Sequence, residues 1–161
     1  MRLHQLRIEG RDDIAWPAPQ LVGELVHSFG LPNGPTYVIL TGPDDQYVQA
    51  AGSSGRFVLE SRDQYGEGFL HLRAGTLTGR KATVGYRRRC PKGIHPPNGC
   101  PLEVDEGCVL GLDLVRVALL HYARASARHP GVTWNDVTAE YQDHEVADVE
   151  IRDIRPRPAA P

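Results

Sequence analysis

The chain has no apolar run approaching the ~20 residues that a membrane-spanning helix needs. Its opening, MRLHQLRIEGRDD, holds no apolar stretch of signal-peptide length. These two absences predict a cytoplasmic protein with no membrane contact. Cysteine is scarce: three in 161 residues, an odd number that does not suit a secreted disulfide scaffold. Neither sign of charge is in large excess. With 18 Lys and Arg against 20 Asp and Glu, the net charge is -2, which argues against a general nucleic-acid binder.

Catalytic signatures are missing as well. There is no Gly-rich phosphate loop, no G-x-S-x-G elbow and no H-E-x-x-H pair. Asp63, Glu67 and His71 lie close enough in sequence to suggest a hydrolytic site, but no nucleophile–base arrangement accompanies them. The expectation is a non-enzymatic protein without a cofactor.

What is present is a strand-rich block, Thr36 to Arg73, around which the rest is organised. Four runs, Thr36–Thr41, Gln46–Ala51, Arg56–Ser61 and Phe69–Arg73, are separated by clusters of Gly, Pro, Asp and Ser. This pattern reads as antiparallel strands joined by hairpins. The first run is apolar at consecutive positions, as expected of a strand buried on both faces. Ahead of the block, Leu3, Leu6 and Ile8 fit a short edge strand or an ordered arm. Trp16-Pro17-Ala18-Pro19 then breaks the chain. Leu21, Val22, Leu25, Val26 and Phe29 recur at helical spacing, which predicts a helix over Pro19–Phe29.

After the block, Ala82–Arg88 and Glu103–Leu110 read as a fifth and a sixth strand. The segment 89–102 between them is too rich in proline for regular structure and reads as an insertion. Leu112, Val115, Leu119, Tyr122 and Ala123 form one face of a second helix, with Asp113 as its N-cap and His129-Pro130-Gly131 as its stop. Val132–Val137 is a short segment that packs back on the core, and Glu145–Ile154 alternates as an edge strand would. The fold predicted is α+β: an antiparallel sheet of about five to six strands with two helices packed on it. It forms a single domain over 1–155 with a Pro/Cys-rich insertion at 89–102 and a flexible tail at 156–161.

Three constellations could carry chemistry. Cys90, His95 and Cys100, with Cys108 further on, supply the donor types of tetrahedral zinc. A Cys90–Cys100 disulfide closing the insertion and a reduced cysteine pair are the other readings. The basic run Arg80, Lys81, Arg87, Arg88, Arg89 and Lys92 is a solvated strand face, an electrostatic contact for an acidic protein partner, or a set of phosphate contacts for nucleic acid. The acidic stretch from Asp136 to Asp153 is either a solvated segment or a surface for a basic partner.

The order of four short motifs resembles a known family. These are the Gly-x-x-Gly-Arg-Phe-Val pattern within Ala51–Val58, Asp-x-x-Gly-Glu-Gly-Phe at Asp63–Phe69, Leu-Asp-Leu-x-x-x-Ala-Leu at Leu112–Leu119, and Pro-Gly-Val-Thr-Trp at Pro130–Trp134. Together they look like the first-numbered family of immunity proteins from bacterial polymorphic toxin systems, over roughly residues 21–136. The chain departs from that pattern in having Asn135 directly after Trp134, and in its insertion and acidic C-terminal segment. The resemblance implies a non-enzymatic protein that binds and neutralises a cognate toxin, a deaminase or a nuclease, encoded next door. The candidate partner-binding residues are Tyr47, Tyr65, Arg87, Arg88, Arg89, Asp143, Glu145 and Asp148. The alternative is a zinc-stabilised nucleic-acid-binding or regulatory module built on Cys90, His95, Cys100 and Cys108.

Overall fold

The structure, a computed structural model, describes residues 3–87 and 100–142. The fold is α+β. Strands β1 (Gln5–Ile8), β2 (Ile14–Ala15), β3 (Tyr37–Thr41), β4 (Tyr47–Ser53), β5 (Arg56–Tyr65), β6 (Gly68–Ala74) and β9 (Trp134–Asp136) form one antiparallel sheet. Their spatial order is β2-β1-β3-β4-β5-β6-β9. Strands β7 (Lys81–Tyr86) and β8 (Cys100–Asp105) form a separate two-stranded ribbon, and the helices are α1 (Pro19–Ser28), α2 (Leu112–Ala125) and α3 (Thr138–Gln142).

The strand count exceeds the five to six expected because the sheet gains short strands at both edges. Two-residue β2 and three-residue β9 are too brief to show a period of two. The expected fifth and sixth strands pair only with each other among the described residues. The sixth is shorter than its pattern suggested, since a 3-10 turn at Glu106–Cys108 replaces its second half.

Register sorts the sheet's side chains onto two faces. Ile8, Val38, Ala50 and Leu59 lie in one cross-strand row, and Leu6, Leu40 and Val48 in the next, with Ala74 in the same core. These rows pack against Val22, Leu25, Val26 and Phe29 of the α1 region and Val115, Ala118, Leu119 and Tyr122 of α2. The guanidinium of Arg116 on α2 donates to the carbonyls of His27 (2.6 Å) and Phe29 (2.8 Å), satisfying the C-terminal end of α1 and tying the helices together. The opposite face is covered by the ribbon, with Val84 and Val104 on Val58, and Tyr86 on Ile39 and Tyr47. Thus β3 is buried on both faces, as its unbroken apolar run implied.

Both ends of α2 differ from the sequence reading. Gly111, in extended conformation, is the N-cap, and Asp113 lies in the first turn, where its charge complements the helix dipole. The helix ends at Ala125 because Ser126 turns left-handed at φ 49°, before the expected stop. Arg128 therefore lies beyond the helix, free to reach the sheet.

The ribbon's base is fastened by Asp105. Its carboxylate accepts backbone N–H bonds from Thr78 (2.9 Å), Gly79 (2.7 Å) and Gly107 (2.8 Å). The Thr78 N–H is the main reason its pKa falls below the usual Asp value; desolvation opposes the shift, and the Gly107 and Gly79 bonds add to it. A lowered folded pKa means stabilisation that is present above the unfolded value near ~3.9 and lost as pH falls through the folded one. Asp105→Asn is expected to flatten the loss of stability below about pH 4, read by urea unfolding at stepped pH. An unchanged acid slope would contradict this role.

Candidate functional site: an overhanging hairpin with a polar flank

The β5–β6 hairpin outgrows its sheet. β5 pairs with β4 only as far as Arg62, opposite Tyr47, so Asp63, Gln64 and Tyr65 run on beyond that neighbour. β9 pairs with β6 only at Leu72, Arg73 and Ala74. The projecting end is closed by a two-residue turn, Gly66-Glu67, between the paired Tyr65 and Gly68. Gly66 takes φ 59°, the positive value that tight hairpin turns require and glycine supplies at least cost.

Alternation places an aromatic ring on each side of this end. Tyr65 shares a face with Asp63, while Phe69, opposite Gln64, shares the other with Arg62 and His71. Tyr65 is 75% exposed and Phe69 is 37% exposed. Phe69 does not swing freely, because the Arg62 guanidinium lies 4.1 Å from its ring centre and 4.7 Å from that of Tyr47. Arg62 is buried and also donates to the Asp45 carbonyl at 2.7 Å. A cation held between two rings fixes both at little entropic cost on later contact.

The Tyr65 side of the hairpin borders a polar cleft of about 420 Å³, lined by Gln46, Asp63, Ser126, Arg128, His129 and Trp134 among others. Asp63 accepts from Arg128 Nε at 2.8 Å and from the Ser61 hydroxyl at 2.8 Å. The Arg128 guanidinium stands 5.7 Å from the Trp134 ring centre. The early end of α2 makes this possible by releasing Arg128 from the helix. The result is an exposed tyrosine on the same face as an ion pair whose arginine lies near a tryptophan, a combination suited to protein recognition.

The opposite face holds a buried charged row. Gln49, Glu60, Arg73 and Asn135 align across β4, β5, β6 and β9. Gln49 Nε2 donates to Glu60 at 2.8 Å, Arg73 donates to Glu60 at 2.9 Å, and Arg73 also reaches Glu140 of α3 at 2.8 Å. This row holds α3 against the sheet.

Of the candidate partner-binding residues, Tyr65 is exposed at the hairpin end. Tyr47 is not available to a partner: it opens β4 and is 1% exposed, buried under Tyr86 and Arg62, so it supports the surface from below. Arg87 is occupied internally. Its backbone N–H donates to the Thr36 hydroxyl (2.7 Å), its side chain pairs with Glu9 at 3.2 Å, and it also bonds the Gly34 carbonyl. It latches the ribbon to the sheet because Thr36 and Glu9 already form a joint there, with the Thr36 hydroxyl donating to Glu9 at 2.8 Å. Arg88, Arg89, Asp143, Glu145 and Asp148 lie outside the described residues, as do Cys90 and His95 and the 145–154 alternation.

Of the four-ligand metal set, Cys90 and His95 lie outside the described residues, and the other two members are set apart along the chain. Cys100 starts β8, and Cys108 lies past that strand's far end. Cys100 to Asp105 spans about 17 Å at ~3.3 Å per residue, and the Cys108 backbone packs against Gly75. Two thiolates on one zinc sit within about 5 Å of each other, given Zn–S near ~2.3 Å. Cys108 is fully buried, and burial raises its thiol pKa, the reverse of what a ligand needs. Among the described residues no group of three metal-ligating side chains forms.

The suggested hydrolytic trio also comes apart. Asp63 pairs with Leu70 and His71 with Arg62, so Asp63 and His71 project from opposite faces. Of the acidic stretch, Asp136 caps α3 by accepting from the Thr138 N–H at 2.9 Å, and Glu140 binds Arg73, so both are structural. Sequence reasoning missed Phe69, Arg62, Arg128 and Trp134 as site residues. The ten-residue length of β5 was the signal, but reading it needs the register of β4. Among the described residues no helix is long and apolar enough to cross a membrane. No family model matches the chain, and no curated protein or solved structure matches it.

Proposed function

We propose that this chain is an immunity-type protein that binds a cognate toxin and neutralises it without chemistry of its own. The observation that carries this reading is the overhanging β5–β6 hairpin, with Tyr65 three-quarters exposed on one face and a preorganised Phe69–Arg62–Tyr47 stack on the other. Exposed aromatics on a rigid support are the usual anchors of tight protein–protein contacts. The flanking Asp63–Arg128 pair adds charges of both signs, which set the orientation of a partner more than the strength of binding. The motif order that resembles polymorphic-toxin immunity proteins supports the same reading, since two of its four motifs form the β4–β5 and β5–β6 turns.

The test is co-expression with the toxin encoded by the adjacent gene. Restored growth and a stable complex on purification are expected. Continued toxicity with no complex would end the proposal.

A further inference from the structure

The helix-bearing side of the molecule has a feature that lies away from the β5–β6 hairpin. A groove of about 590 Å³ opens between the start of α1 and the second half of α2. Sites for small ligands commonly enclose ~300–1,000 Å³. Leu3, Val22, Leu120 and Ala123 give it apolar walls, and Trp16 and Arg124 also line it.

Two residues hold this groove open against local preference. Gly23 lies inside α1, where glycine is the poorest helix former after proline. A Cβ at this position would meet no atom within 4 Å, so no packing need within the fold explains the glycine. Its missing side chain leaves the groove empty. Trp16 has φ 51° and is 63% exposed. A bulky residue seldom enters that backbone region, and the following Pro17 restricts it further. Its ring rests on His4 at 4.6 Å between centres, which holds the indole beside the groove instead of turned into the core.

The polar chemistry at the groove is of one sign. Arg124 is exposed and has no salt bridge among the described residues. The nearby start of α1 has no side-chain cap and no acidic residue in its first turn, so its positive dipole end is not neutralised. An apolar trough with a lone guanidinium complements a ligand with an apolar body and one carboxylate.

We propose that this groove binds a free medium-chain carboxylic acid, its body against Leu3, Val22 and Leu120 and its carboxylate at Arg124. Gly23 sets the depth, and Trp16 covers one side.

Decanoate and 1-decanol are the probes, titrated calorimetrically into the full chain. Saturable binding of decanoate is expected below about 1 mM. Gly23→Leu starts from open space at its Cβ, projects into the groove, and is expected to abolish binding while circular dichroism shows an intact fold. Arg124→Gln should weaken decanoate at least ~10-fold and leave 1-decanol unchanged, since only the charge contact is lost. Absence of saturable decanoate binding to the unaltered chain, retained binding in Gly23→Leu, or equal affinity of Arg124→Gln for decanoate would overturn the proposal. Toxin protection is not part of any readout, so the two readings stand or fall separately.

Discussion

Gly107→Ala is expected to lower stability by about 3–4 kcal/mol and the melting temperature by roughly 6–16 °C. A Cβ at residue 107 would sit 1.6 Å from the Thr76 carbonyl oxygen, which belongs to backbone and cannot swing aside. The close approach is needed because Thr76 N–H donates to the Gly107 carbonyl at 3.1 Å, just where the chain leaves β6 for the ribbon. Gly75, at φ 132°, meets the same segment from the other side, with a would-be Cβ 2.3 Å from the Gly107 oxygen. The two glycines form one seam, and methylating it pushes the ribbon off the sheet. Gly23→Ala is the matched control: with open space around it, it should stabilise α1 by about 0.5–1 kcal/mol. Thermal unfolding followed by circular dichroism measures both. A Gly107→Ala protein that melts with the parent would refute the seam.

Arg73→Met is expected to cost about 3 kcal/mol, again by thermal or urea unfolding. Arg73 and Glu60 are both nearly buried, with side chains 6% and 9% exposed. Their pairing does not by itself make the fold more stable than an apolar pair would, because both charges must leave water. Removing one member is different, since it strips a buried carboxylate of its guanidinium. Glu140, at 53% exposure, is the solvated third member. Glu140→Gln should therefore cost less than about 1 kcal/mol. Equal losses from the two substitutions would show that α3 docking, and not burial of Glu60, dominates the row.

The parts of the fold legible in the sequence were those whose physics is local. The four runs of the meander carry β-branched and aromatic residues between turn formers, and β3 to β6 appear there with ends shifted by a few residues at most. Both long helices were visible through their apolar stripes. Elements that depend on partners distant in sequence were not visible. Glu60 and Arg73 look like solvent-facing strand residues until register sets them opposite each other beneath the ribbon. Tyr47 read as a partner-binding aromatic because nothing nearby in sequence announces that Tyr86 and Arg62 will cover it. Arg87 read as part of a free basic run because its carboxylate, Glu9, lies at the far end of the sheet's sequence. Tyr65 was legible because a hairpin tip is exposed by construction. Phe69 was not, because its exposure follows from β5 outlasting β4.

The most direct measurement is the affinity of purified toxin for Tyr65→Ala, set against a surface change remote from the hairpin such as Leu77→Ala. Both Tyr65 and Leu77 are more than half exposed, so neither change should disturb the fold. If the hairpin end is the docking surface, Tyr65→Ala weakens binding at least ~30-fold, corresponding to the ~2 kcal/mol that marks an anchor residue. Leu77→Ala leaves binding unchanged. Equal affinity of Tyr65→Ala and the unaltered chain would contradict the account.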